Sequence, residues 1–207
     1  MAADYEDKYI TPLDLCRFPS LRIITICCSI ASFVTYAMYY GPALIIDEIG
    51  FNIYISNIMV NMSELVTFLP AYLYIDKIER RKGGIILFSV CSLSALLLTF
   101  IKKPEDVDIS LEAVLELIIV FIFRACVAFF FCFFQIYFCE LYPSRARGMG
   151  AGIVSAVGTL ASTSSPIYLG ILKRNNINVM TIFVLFGIIG LSSLMLLTET
   201  KGMPLKE

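Results

Sequence analysis

Two charged side chains sit deep within long apolar runs of the sequence: Glu64 within residues 53–75 and Arg124 within residues 113–139. A charge at the centre of a membrane helix costs about 3 kcal/mol on insertion scales, so such residues mark pairs, pathways or binding sites. At a rise of 1.5 Å per residue, each stands about 16 Å along its helix, counted from Ile53 and Ala113. Equal depth predicts either a mutual ion pair or two walls of one water-filled cavity. Ala128, Phe131, Cys132 and Gln135 share the helical face of Arg124 and add aromatic and hydrogen-bonding groups to it.

Two further runs carry polar stripes. In residues 23–46, Ser32, Tyr36 and Tyr39 lie on one face, with Thr35 and Tyr40 beside them. A tyrosine offers its ring to a cation and its hydroxyl to an anion, whereas Tyr40 suits an anchor at the membrane interface. In residues 150–172, Ser155, Thr159, Ser162 and Pro166 repeat at helical spacing. That stripe fits a polar cavity wall with a helix break at Pro166, or interhelical hydrogen bonding by the hydroxyls. Gly148-x-x-x-Gly152 is a small-residue packing motif.

Other chemistry is thinly represented. Seven cysteines, at 16, 27, 28, 91, 126, 132 and 139, form no C-x-x-C pair, and all but Cys16 lie in apolar runs. Such thiols behave as small hydrophobes rather than as metal ligands or a disulfide ladder. The sequence has no histidine, and its formal net charge of -1 offers no basic footprint for nucleic acid. No catalytic residue, metal site or cofactor is therefore expected.

The elements that must position these residues follow from composition. Of 207 residues, 58% are hydrophobic and 16% charged, against about 45–50% and 25% in soluble domains. Mean hydropathy is +0.83. A water-soluble globule is excluded, and six runs reach the length of about 20 residues that a bilayer requires: 23–46, 53–75, 84–101, 113–139, 150–172 and 179–198. Without period-2 alternation they read as helices, which predicts an all-α, multi-pass membrane protein with a leader over 1–22 and a tail over 199–207. The leader is too polar and acidic for a signal peptide, so the chain is expected to start in the cytosol. Eleven basic residues, Lys8, Arg17, Arg22, Lys77, Arg80, Arg81, Lys82, Arg145, Arg147, Lys201 and Lys206, fall on the side of the amino terminus, against four on the other: Lys102, Lys103, Lys173 and Arg174. The positive-inside rule then places both termini in the cytosol.

Three charge clusters sit at the cytosolic ends of these helices: Asp76-Lys77-Ile78-Glu79-Arg80-Arg81-Lys82-Gly83, Glu140-Leu141-Tyr142-Pro143-Ser144-Arg145-Ala146-Arg147-Gly148, and Glu199-Thr200-Lys201-Gly202. Carboxylates and guanidinium groups so placed can bridge helix ends in one conformation and release them in another. In this order, with the Tyr-Tyr-Gly ending at Gly41 and the run IYISNIMVNMSELV, they resemble the major facilitator superfamily, within its organic cation/anion transporter branch related to the sugar porters. The resemblance runs from about Leu13 to the end and corresponds to the carboxyl-terminal half of that fold, helices seven to twelve.

The resemblance implies a solute cavity at mid-membrane between two six-helix halves and transport by alternating access. Tyr36, Tyr39, Glu64, Arg124, Cys132 and Thr159 are its implied substrate-binding residues, and Asp76, Arg80, Arg81, Glu140, Arg145, Arg147 and Glu199 its implied cytosolic gate. Two departures stand out. Glu79 replaces the usual glycine of D-x-x-G-R-R, and Ser32 stands where a tryptophan is frequent. Thr159 occupies a position where cation carriers tend to have an acid and anion carriers a base, so this half assigns no substrate charge. The implied partners are the lipid bilayer, a small organic solute and a second six-helix half, in the plasma membrane or an organelle membrane. The rival readings are a sugar-transporter half and a transport-inactive membrane protein associated with a full carrier.

Overall fold

Helix formation follows the apolar runs, with local signals setting the ends. The computed structural model describes residues 15, 17–44, 53–75, 77–100, 111–175, 177–197 and 199–200. Among them are six α-helices, α1 (Pro19–Tyr40), α2 (Ile53–Tyr74), α3 (Arg80–Phe100), α4 (Leu111–Leu141), α5 (Ser144–Arg174) and α6 (Val179–Met195), and no strand. Pro19 opens α1, where its missing N–H costs nothing. Asn178 caps α6 by accepting from the Met180 N–H at 3.0 Å. Pro166 does not break α5, which runs unbroken from Ser144 to Arg174. A proline at 166 leaves the Ser162 carbonyl without its helical N–H, and the Ser165 hydroxyl takes that carbonyl at 2.7 Å.

The helices stack in two layers. The front row runs α2, α4, α1, α5, with α2 packed on α4 and α5 on α1; behind it, α3 packs on α4 and α6, and α6 on α1. Aromatic side chains of α4 fill the space between the layers. Phe123, Phe130, Phe133, Phe134 and Tyr137 are all buried, and Phe130 meets Phe88 of α3 edge-to-face at 4.4 Å between ring centres. Helix association in lipid has little hydrophobic drive, so close packing of this kind has to hold the layers together.

Glycines set the closest approaches, though not those of the Gly148-x-x-x-Gly152 motif. A Cβ at Gly148 or Gly152 would meet nothing within 4 Å. At Gly158 it would lie 2.6 Å from the Ser32 hydroxyl and 2.7 Å from the Tyr36 ring, and at Gly150 2.5 Å from the Tyr142 ring. The α1–α5 contact therefore uses Gly158, and Gly150 makes room for the fully buried Tyr142, whose hydroxyl donates to Thr25 Oγ1 at 3.0 Å.

Among the described residues, three helices are long and apolar enough by themselves to cross a membrane, over Leu21–Tyr40, Arg80–Phe100 and Val114–Leu141; α6 is a shorter apolar helix. The helices α2 and α5 are long enough but less apolar. They are the ones that carry Glu64, the asparagines at 57 and 61, and the serine, threonine and glycine stripe.

Candidate functional site

The two mid-helix charges meet. Arg124, 5% exposed, donates through Nη2 to Glu64 Oε1 and through Nη1 to the backbone carbonyl of Tyr39. The Tyr39 hydroxyl closes the triangle by donating to Glu64 Oε2 at 3.1 Å, and the Arg124 guanidinium lies 4.4 Å from the Tyr39 ring centre. Phe131 stacks on the same tyrosine at 4.6 Å. Three helices thus contribute: α1 the tyrosine, α2 the acid, α4 the base and the stacking ring. Of the two alternatives that equal depth allows, the ion pair is the one present. A guanidinium at this depth is tolerated because its charge is matched and both terminal nitrogens are used; Nε alone is buried without a partner among the described residues.

Beside this triangle the α1–α4 surface is half-exposed and mixed in character. Tyr36 tilts against Phe131 at 5.0 Å, and its hydroxyl accepts from Gln135 Nε2 at 3.2 Å. Tyr36, Phe131, Cys132 and Gln135 are all partly accessible. Thr159 is exposed on α5, one residue past the glycine that packs on Tyr36, and its hydroxyl donates to the Ser155 carbonyl at 2.9 Å. Ser162 and Thr163 turn their hydroxyls onto the Thr159 carbonyl in the same way. Thr159, Ser162 and Thr163 thus bond within their own helix; Thr159, Thr163 and Pro166 are exposed, whereas Ser155 and Ser162 are partly buried.

At the ends of α3 and α4 a second cluster forms. Arg80 grips Glu140 with Nε at 3.1 and 3.2 Å and Nη2 at 2.9 Å, and donates through Nη1 to the Ile75 carbonyl. The Glu199 carboxylate accepts the backbone N–H groups of Arg80 at 2.8 Å and Arg81 at 2.9 Å, and Thr200 donates to Glu140 at 2.8 Å. Three basic residues at the positive end of a helix oppose its dipole; Glu140 and Glu199 offset that cost. Arg81 donates to the Met195 carbonyl at 2.6 Å, tying α3 to the end of α6. Glu79, at the glycine position, pairs with Lys82 at 2.8 Å on the exposed side.

Of the gate residues expected from sequence, Arg80, Arg81, Glu140 and Glu199 come together. Arg145 lies exposed in the first turn of α5. Arg147, in the same turn, keeps Nε and Nη2 buried without a partner among the described residues. Asp76 and Cys16 lie outside the described residues. Sequence reading missed the Tyr39 carbonyl as a ligand of Arg124, a backbone contact that no side-chain pattern signals. It also missed the capping role of Glu199, for which a carboxylate after the last apolar run was the only available sign.

Residues 7–166 match the family model described as Major Facilitator Superfamily. Among curated proteins the chain is similar to Organic anion transporter 3 of Homo sapiens, with 29% identity over 97% of this chain and 35% of that protein. It is 32% identical to Organic cation/carnitine transporter 3 of Arabidopsis thaliana over 80% of this chain and 30% of that protein. With Solute carrier family 22 member 6 of Bos taurus it shares 25% over 94% of this chain and 34% of that protein. The chain thus spans about a third of the length of the curated relatives it matches.

Proposed function

The chain belongs to the Major Facilitator Superfamily, and from that membership we propose that it works as the carboxyl-terminal six-helix half of a secondary transporter for small organic ions or zwitterions. The observation that carries the reading is the Glu64–Arg124–Tyr39 triangle, set near the middle of α2 and α4 beside the half-exposed wall of Tyr36, Phe131, Cys132 and Gln135. An internally neutralised charge pair beside aromatic faces suits solutes that combine a charge with an apolar body, because the pair can rearrange to meet either sign.

The front face between α2 and α5 is where a second half would close the cavity, and the less apolar character of these two helices supports that placement. All six helices would then span the bilayer with both termini in the cytosol. The Arg80–Glu140–Glu199 cluster would hold the helix ends together while the cavity faces outward, and Arg147 would supply a cation to the second half when the cytosolic side closes.

The test is uptake in proteoliposomes containing this chain together with an amino-terminal half from a relative, using an aromatic carboxylate, a quaternary ammonium and a hexose as probes. Saturable uptake of either ion, reduced at least tenfold by Arg124→Ala, is expected. Uptake of the hexose alone would assign a sugar carrier. No uptake of any probe by a correctly assembled pair would leave an associating, non-transporting protein.

A further inference from the structure

The hydrogen bond between Gln135 of α4 and Tyr36 of α1 leaves unused capacity in the wall beside the charge triangle. The amide carries two N–H donors and the phenol one O–H, three in all. Their mutual bond at 3.2 Å consumes one donor, whichever group supplies it, and neither side chain has a further hydrogen-bond partner among the described residues. Two donors are therefore free, on side chains that are both partly accessible. Packing holds them beside an aromatic surface. A Cβ on Gly158 of α5 would come within 2.7 Å of the Tyr36 ring, and Phe131 tilts against the same ring at 5.0 Å.

The groups nearby that could hold a cation are already engaged. Glu64 takes Arg124 on Oε1 and the Tyr39 hydroxyl on Oε2. The Tyr39 ring has the Arg124 guanidinium at 4.4 Å and the stacked Phe131 ring at 4.6 Å, and since these cannot share one face, both faces are covered. With the triangle closed, what the wall offers a solute is a pair of neutral donors next to aromatic rings, and two donors can meet the two oxygens of one carboxylate. We propose that Gln135 is the specificity-determining residue of this cavity: with Tyr36 it binds the anionic head of an aromatic carboxylate and so turns the cavity against cations. The assignment rests on the transporter reading above and goes beyond it by fixing the sign of the solute's charge. Specificity of this kind hangs on one atom. Gln135→Glu keeps the side-chain shape, removes both amide donors and adds a charge that repels a carboxylate and attracts an ammonium.

The test compares benzoate with phenyltrimethylammonium, which share a ring and differ in the charge of the head, in proteoliposomes of this chain with the amino-terminal half of a relative. The unmodified pair is expected to take up benzoate at least about tenfold faster than the ammonium, the share that one hydrogen bond to a charged group contributes. Gln135→Glu is expected to raise the KM for benzoate by at least about tenfold and to invert the preference. Gln135→Leu removes the amide donors without adding charge, so it is expected to raise the KM for benzoate and to gain no ammonium uptake. Equal uptake of the two probes by the unmodified pair, or a preference for the ammonium, would overturn the proposal even where neither variant folds. So would a benzoate-to-ammonium ratio that either replacement leaves unchanged. Uptake of neither probe by the unmodified pair would instead sink the transporter reading, and the assignment of Gln135 with it.

Discussion

Glu64 and the Tyr39 carbonyl meet both terminal nitrogens of Arg124, and this makes the three residues one energetic unit. Removing one partner of a buried pair leaves the other charge uncompensated and costs about 3–5 kcal/mol, whereas removing both is much cheaper. Glu64→Gln and Arg124→Gln are each expected to lower the melting midpoint in detergent strongly, and the double replacement less than their sum. Additive effects in that double-mutant cycle would mean the pair does not form in the folded protein. Tyr39→Phe keeps the ring over Arg124 and removes only the bond to Glu64, so a loss of about 1 kcal/mol is expected on the same scale. The pairing was legible in the sequence because two opposite charges at one helical depth have few affordable arrangements in lipid. Tyr39 was named as a site residue as well, but its second bond to Arg124 was not legible, since that contact is made by a main-chain oxygen.

The α1–α5 contact shows what sequence spacing leaves undecided among helices. The Gly148-x-x-x-Gly152 pattern and the Gly150, Gly158 pair are equally visible along α5, but they lie on different faces, and only the packing of α1 and Tyr142 selects between them. Alanine at 150 or 158 has to displace an aromatic ring, an overpacking cost of about 1–3 kcal/mol. Alanine at 148 or 152 meets open space and gains about 0.5–1 kcal/mol of helix stability. Thermal unfolding of the four single variants in one detergent is expected to split them two against two; a uniform response would rule out the packing of α5 described above. Helix ends follow the same logic. The α3 start was legible as a charge cluster, but its cap comes from Glu199, more than a hundred residues further along the chain. Glu199→Ala is expected to cost about 1 kcal/mol and to speed hydrogen exchange at the Arg80 and Arg81 amides, with α6 amides unaffected.

For the molecule as a whole the question is what covers the front face. The outward side of α6 is aliphatic, with Leu185, Ile188 and Leu196 exposed, as a lipid-facing surface should be. The outward side of α5 is mixed: beside the exposed Leu160, Ile167 and Ile171 runs a stripe of Gly148, Gly152, Thr159 and Thr163, also exposed, whose hydroxyls bond to carbonyls of α5 itself. Lipid gives no reason to keep such a surface polar, while a water-filled cavity or a closely approaching helix does. Nitroxide labels at 152 and 159 are therefore expected to be relaxed by a water-soluble paramagnetic complex and protected from dissolved oxygen. Labels at 185 and 188 should show the reverse. Adding a complementary six-helix half is expected to shield position 152 from both relaxants and to leave 159 open to the aqueous one, because a cavity wall stays wet where a helix contact does not. Oxygen-dominated relaxation at all four positions would make α5 a lipid-facing helix, and the reading of this chain as half of an alternating-access transporter would fall with it.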